Sequence, residues 1–85
     1  MNHPQRVKDY RIEQLDDELL LYHPGRTTTL YCNDTAALIW QLCDGTRTVD
    51  EIVDLLTEQY PEEPVAEDVG LTLEAFEEHG AISYV

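Results

Sequence analysis

Residues 33–45, Asn-Asp-Thr-Ala-Ala-Leu-Ile-Trp-Gln-Leu-Cys-Asp-Gly, decide the fold of this 85-residue chain. In the middle of this stretch, Ala-Ala-Leu-Ile-Trp-Gln-Leu-Cys, the only polar residue is Gln41. The pattern predicts a helix that is apolar nearly all round, and such a helix must be surrounded by other elements. Asn33 or Asp34 can cap its first free N–H groups, and Gly45 suits the left-handed position just past its end.

The rest of the chain must form the wrapping around this central helix. Trp40 is the only tryptophan of the chain, and we expect it near the centre of the core. A helix of this length is not stable alone in water, so the remaining residues must pack on it. A chain of 85 residues makes one domain, with a core too small to enclose a large internal active site.

The segment before the central helix predicts a small antiparallel sheet. Residues 10–15 alternate between apolar and polar side chains, residues 19–23 form a more apolar run, and residues 27–32 are β-branched and aromatic. An acidic turn and a Pro-Gly pair separate these three strands. Such short connections favour a meander whose first and third strands are the edges. Residues 1–9 predict a loose arm that precedes a single domain over residues 10–85.

Two amphipathic helices follow the central one. Thr48-Val-Asp-Glu51 is a capping box, and helical spacing of apolar residues continues from it to the next proline. A third helix is predicted over residues 65–79, closed by Gly80, before a short strand or tail at 81–85. Its core-facing stripe consists of Val65, Val69, Leu73 and Phe76. Three strands followed by three helices predict an α+β fold of the winged-helix type.

The charge distribution argues against nucleic acid and membrane partners. The formal net charge is −13, and residues 48–85 carry eleven acidic residues and no Lys or Arg. Such a surface repels phosphates and anionic lipids, and it favours a basic partner or simply solubility. A DNA-reading helix normally carries basic residues, and neither the second nor the third helix has a Lys or Arg. No segment has the apolar length of a signal peptide or a membrane span.

The residues that could carry chemistry do not form a recognisable catalytic or metal site. Cys32 and Cys43 lack the spacing of zinc ligands, and core packing with reduced thiols in the cytosol is the expectation for both. The three histidines are scattered, and there is no phosphate loop or nucleophile elbow. Most carboxylates lie on the solvated faces of helices. The sequence therefore predicts no enzyme, no metal and no cofactor.

The segment over residues 30–56 resembles the PqqD family. Its sequence is Leu-Tyr-Cys-Asn-Asp-Thr-Ala-Ala-Leu-Ile-Trp-Gln-Leu-Cys-Asp-Gly-Thr-Arg-Thr-Val-Asp-Glu-Ile-Val-Asp-Leu-Leu. These are small proteins of pyrroloquinoline quinone biosynthesis and their relatives, the peptide-recognition domains of pathways that modify ribosomal peptides. The likeness extends over residues 10–82 and includes the last helix, which ends His-Gly-Ala-Ile.

The resemblance implies a chaperone-like adaptor without catalytic activity. Such domains bind the leader segment of a precursor peptide, which adds as a strand to the third strand of the sheet and lies against the third helix. The adaptor then presents the precursor to a modifying enzyme, often a radical S-adenosylmethionine enzyme. An edge strand beside an amphipathic helix is a standard geometry for capturing a peptide.

Helical spacing points to the flank of the third helix where a bound leader would find an apolar contact. Leu71 falls far from the core stripe, with Asp68 and Ala75, and more loosely Thr72, on the same flank. An isolated exposed leucine is also ordinary on a protein surface. The candidate peptide-binding residues are Thr27, Thr28, Thr29, Leu30, Tyr31, Asp68, Leu71, Thr72 and Ala75.

A second hypothesis places the chain in another functional class. It is a winged-helix interaction or regulatory module that binds a protein surface and no leader peptide. The sequence is compatible with a monomer or a homodimer, and with a quinone-cofactor, lasso-peptide or other pathway.

Overall fold

The computed structural model describes residues 2–27 and 29–85; the candidate contact residue Thr28 lies outside them. The strands are β1 (Pro4–Arg6), β2 (Arg11–Leu15), β3 (Glu18–Tyr22), β4 (Thr29–Cys32) and β5 (Ile82–Tyr84), and the helices are α1 (Asp34–Leu42), α2 (Val49–Gln59) and α3 (Val65–Glu78). Strands β2, β3 and β4 form one antiparallel sheet in that order. The α+β architecture predicted from the sequence, a three-stranded sheet followed by three helices, is confirmed.

The third strand of this sheet is shorter than predicted. It begins at Thr29, whereas Thr27 lies in an exposed bend. The reason is the turn before it, in which the Arg26 N–H donates to the His23 carbonyl over 2.9 Å and the Gly25 N–H donates to His23 Nδ1 over 2.9 Å. The reversal of the chain therefore continues past the Pro-Gly pair and leaves β4 as the short outer strand beside β3.

The prediction of a loose arm over residues 1–9 is wrong for its middle part. Residues Pro4–Arg6 form β1, which pairs antiparallel with β5 at the other end of the chain. The Val7 N–H donates to the Ala81 carbonyl over 2.8 Å, and Pro4 is buried. This pairing joins segments about eighty residues apart in sequence, and a three-residue strand has too little periodicity to be recognised. Residues 4–6 therefore belong to the folded body.

The core forms around α1 and α3, as expected for the largest apolar groups. Trp40 and Phe76 are buried and meet edge to face, with ring centroids 5.5 Å apart. The predicted stripe of α3 is buried at all four positions. However, α1 is less enclosed than predicted, because only Ile39 and Trp40 within it are buried, while Leu38 and Leu42 are partly exposed.

The ends of the helices follow the predicted capping chemistry. Asn33 caps α1, since its side-chain oxygen accepts the Ala36 N–H over 2.7 Å. Thr48 and Glu51 form the complete capping box of α2, with the reciprocal hydrogen bonds at 2.9 and 3.1 Å. Gly45 has a φ of +81°, which is the left-handed conformation expected after α1. Among residues 2–27 and 29–85, no helix has the length and apolar character needed to cross a bilayer.

Candidate functional site

A groove lies between the free edge of the three-stranded sheet and helix α3, and we call it the β4–α3 groove. Its volume is about 230 Å³, and it is open to solvent along one side. The first turn of α1 closes one part of it. The lining residues are Leu30, Tyr31, Cys32, Asn33, Ala36, Leu71, Thr72, Ala75 and Phe76. Five of these, Leu30, Tyr31, Leu71, Thr72 and Ala75, belong to the set predicted from the sequence.

Strand β4 forms the first wall of the groove. Within the part of the chain that the structure describes, it pairs only with β3, through the register Leu21↔Leu30 and Leu20↔Tyr31. Alternate N–H and C=O groups of such an edge strand point away from its neighbour and are available to a further strand. Leu30 packs against the core, whereas Tyr31 is 69% exposed, as the alternation of side chains along a strand requires. The Tyr31 ring therefore lies on the outer face of the sheet, and the residue borders the groove at the strand edge.

Helix α3 forms the second wall of the groove. Leu71 is 60% exposed, whereas Leu73, two residues later on the core stripe, is 3% exposed. Thr72 and Ala75 are half-buried beside Leu71 and continue the same flank toward the end of the helix. The predicted division of α3 into a core stripe and an open apolar flank is therefore confirmed in its geometry.

The floor of the groove contains residues that the sequence reasoning missed as site residues. Phe76 is fully buried at the base, and the small side chain of Ala36 keeps the space above it open. Asn33 stands at the end of β4, where its oxygen is occupied by the α1 cap. Asn33 directly follows β4 in the sequence, so the first turn of α1 necessarily meets the end of this strand. That adjacency is the signal that could have predicted Asn33 and Ala36 as groove residues.

Three of the predicted site residues do not line this groove. Asp68 lies on a neighbouring pocket with Thr35 and Tyr60, one helical turn before Leu71. Thr27 lies in the exposed bend before β4, and Thr29 is the first residue of β4 but does not line the groove. The pairing of these residues with a peptide therefore requires the peptide to extend beyond the groove itself.

A polar brace ties the turn before β4 to the end of α3. The Arg26 guanidinium donates to the His79 carbonyl over 3.1 Å and lies 5.7 Å from the centre of the Tyr10 ring. The Tyr10 hydroxyl donates to the same carbonyl over 2.7 Å. This brace joins the two walls at one end of the groove. The sequence gives no local indication of it, because the three residues come from distant parts of the chain.

The groove is chemically suited to binding and carries no catalytic constellation in the described residues. Cys32 lines the groove, and burial raises the pKa of its thiol, which therefore stays protonated at neutral pH. The Cys32 thiol donates a weak hydrogen bond to the Leu30 carbonyl, with 3.8 Å between sulfur and oxygen. In residues 2–27 and 29–85 no cluster of three or more His, Cys, Asp or Glu side chains could hold a metal ion.

A free strand edge beside an apolar helix flank defines a small α+β domain of winged-helix type with the geometry of a peptide-capturing module. Residues 18–82 match the family model described as "Coenzyme PQQ synthesis protein D (PqqD)", and the chain therefore belongs to the PqqD family. A relative from Rahnella aquatilis, named "PqqA binding protein", is 43% identical over an alignment of 62 residues, and the match covers 69% of this chain and 62% of the relative. The chain thus spans less than two thirds of that relative.

Solved structures share the fold at 22% sequence identity. "Lasso peptide synthetase B1 complexed with the leader peptide" superposes with a TM-score of 0.76, and the match covers 95% of this chain and 98% of that chain. "TbiB1 in Complex with the TbiA(beta) Leader Peptide" has a TM-score of 0.73 and covers 93% and 94%. "Heterocyclase in complex with substrate and Cofactor" has a TM-score of 0.67, with 96% of this chain matching 10% of that larger one. The fold therefore occurs both as a separate chain and within a larger enzyme.

Proposed function

We propose that this protein is an adaptor that binds the leader segment of a ribosomally made precursor peptide and presents it to a modifying enzyme. The leader adds as a strand to the free edge of β4 and places side chains in the β4–α3 groove. The adaptor itself performs no chemistry. The observation that carries the proposal is the position of Leu71, a 60% exposed leucine that faces an unpaired strand edge across an apolar groove.

The physical properties of the groove support this mode of binding. Backbone groups of β4 supply hydrogen bonds that do not depend on the leader sequence, whereas the pocket above Phe76 selects for an apolar side chain. Half-buried Thr72 and Ala75 leave space next to Leu71 for that side chain. The peptide-binding residues that we propose are Thr27, Thr28, Thr29, Leu30, Tyr31, Asp68, Leu71, Thr72 and Ala75, together with Asn33 and Ala36.

The relatives support the same function. The Rahnella aquatilis protein is named for binding PqqA, and two chains of the same fold were solved with leader peptides bound. In the heterocyclase, the matching region is 10% of the chain, so there the fold is part of a modifying enzyme. This supports a modifying enzyme as the second partner. We place this activity in the cytoplasm, where Cys32 and Cys43, which form no disulfide, stay reduced.

A proline scan along β4 tests strand addition. Proline removes the backbone donor and blocks pairing on the side to which its nitrogen points. Thr29 and Tyr31 share one orientation in the strand, and Leu30 has the other. We expect proline at the outward-facing orientation to abolish leader binding in a folded protein, and proline at the inward-facing one to disrupt the pairing with β3. Thr27→Pro, in the bend before the strand, tests how far the contact with the leader extends before β4, and it should weaken binding less than proline at the outward-facing orientation.

The readouts are circular dichroism for folding and calorimetric titration with a synthetic leader of the precursor encoded beside the gene. Wild-type affinity in every folded proline variant would contradict strand addition to β4. Loss of binding in the Thr27→Pro variant alone would place the contact in the preceding bend.

A further inference from the structure

A second apolar groove lies on the part of α1 that the fold leaves uncovered. Leu38 and Leu42, four residues apart on α1, are partly exposed, and on α2 Leu55 is 42% exposed beside the buried Leu56. We call this surface the α1–α2 groove, and its volume is about 430 Å³. The lining residues are Leu38, Leu42, Arg47, Leu55, Leu56, Glu58 and Gln59.

This groove shares no lining residue with the β4–α3 groove and faces a different direction. Ala36 borders the β4–α3 groove. Counting roughly 100° per residue along α1, Leu38 is rotated about 200° from Ala36, and Leu42 is rotated about 240° from it after full turns are removed. The two grooves therefore lie on different sides of the same helix. An occupant of one leaves the other accessible.

The rim of the α1–α2 groove is anionic. Glu51, Asp54 and Glu58 are exposed along α2, and Asp54 and Glu51 line the adjoining depression next to Leu55. The one basic side chain among the lining residues is Arg47, and its guanidinium donates to the Asp44 carboxylate over 2.7 Å.

This charge pattern selects among possible occupants. A second copy of the same chain would place acidic rim against acidic rim in a symmetric contact, and an anionic membrane would be repelled. A different protein that presents an apolar side chain surrounded by Lys and Arg matches both the leucine floor and the carboxylate rim.

We propose that the α1–α2 groove docks the modifying enzyme through such a basic-rimmed apolar contact, while the leader occupies the β4–α3 groove. This inference rests on the proposed adaptor function, because it assigns a separate surface to the second partner. It also gives a role to the exposed Leu55 of α2 and to the partly exposed Leu38 and Leu42 of α1.

The test uses the purified modifying enzyme encoded beside this chain's gene, immobilised for surface plasmon resonance. Leu55→Ser removes the apolar contact, and the pair Asp54→Lys with Glu58→Lys reverses the rim charge. We expect each variant to weaken enzyme binding by about tenfold or more, which is the effect of removing a central contact of an interface. Binding of the synthetic leader should stay at the wild-type level in both variants.

Two matched variants on α3 serve as controls. Glu74→Lys with Glu77→Lys makes the same change in net charge at exposed positions that line neither groove, and it should retain enzyme binding. Leu71→Lys should weaken leader binding and retain enzyme binding. This crossed pattern assigns one partner to each groove.

Several outcomes would overturn the inference while leaving leader binding intact. In the first, the enzyme does not bind the wild-type chain. In the second, it binds the Leu55→Ser variant and the charge-reversed variant as tightly as it binds wild type. A homodimer in sedimentation velocity that Leu55→Ser dissociates would assign the groove to a second copy instead. If the wild-type chain binds the enzyme but no leader, and the α2 variants lose the enzyme, the docking surface stands and the proposed function fails.

Discussion

The substitution Leu71→Lys should separate leader binding from folding. Leu71 lies on the wall of the β4–α3 groove, outside the core stripe of α3, and 60% of it is exposed. A lysine at this position can extend into water in the free protein, so the melting temperature should change little. A bound leader, in contrast, would have to cover a charged group.

The magnitude follows from the area that is still free to be buried. Burying a leucine completely contributes about 1.5–3 kcal/mol. Since 60% of Leu71 is exposed in the free protein, contact with a leader can gain roughly 60% of that value, about 1–2 kcal/mol. A loss of this size raises the dissociation constant by about 5- to 30-fold.

The assay is calorimetric titration of the wild-type and Leu71→Lys proteins with the same synthetic leader, paired with thermal unfolding. The matched control is Leu73→Ala, since Leu73 is 3% exposed and belongs to the core. This truncation should cost about 2–5 kcal/mol of unfolding free energy. Wild-type leader affinity in the Leu71→Lys protein would refute the groove assignment, and unfolding of that protein would refute the assignment of its helix face.

Three further predictions concern other parts of the molecule. At pH 8, iodoacetamide should not modify Cys43 in the folded protein, because burial raises the pKa of its thiol to about 12. The same reagent should modify Cys32 slowly, because burial also raises the pKa of that thiol, and more slowly still when the leader is bound. Mass spectrometry measures both rates, and labelling of Cys32 that does not depend on the leader would place the peptide elsewhere. The Thr48 backbone N–H lowers the pKa of the Glu51 carboxyl, so ionised Glu51 stabilises the fold above pH 4.5 and this contribution is lost as the pH falls through the lowered pKa. The melting temperature of Glu51→Gln should therefore lie below that of wild type at pH 7, with the difference shrinking in acid; a difference independent of pH would contradict the linkage. Finally, micromolar protein should not shift duplex DNA in a gel or retain stoichiometric zinc in metal analysis. A DNA shift would overturn the interpretation of the charge pattern, and bound zinc would overturn the interpretation of the Cys and His spacing.

Local signals in the sequence predict the helices and the division of their faces. The capping box of Thr48 and Glu51 marks the start of α2 because its hydrogen bonds join residues three apart. The stripe from Val65 to Phe76 and the position of Leu71 off that stripe follow from helical geometry alone. These features depend on residues that are only a few positions apart in the chain, so the sequence alone is sufficient to predict them.

The features that the sequence did not predict depend on contacts between distant segments. The pairing of β1 with β5 joins the two ends of the chain, and neither three-residue strand shows a pattern of its own. The exposure of Leu38 and Leu42 depends on how much of α1 its neighbours cover, whereas periodicity shows only that both are apolar. Ala36 became part of the groove floor because α1 follows β4 without a linker.

The most direct measurement is an NMR titration of the ¹⁵N-labelled protein with the leader peptide, including cross-strand nuclear Overhauser effects between the peptide and the protein. We expect the amides of Thr29–Cys32 and of the α3 flank around Leu71 to shift together. The peptide backbone should lie within strand-pairing distance of β4. Shifts confined to β2 or to the α1–α2 groove, with no cross-strand contact to β4, would contradict strand addition.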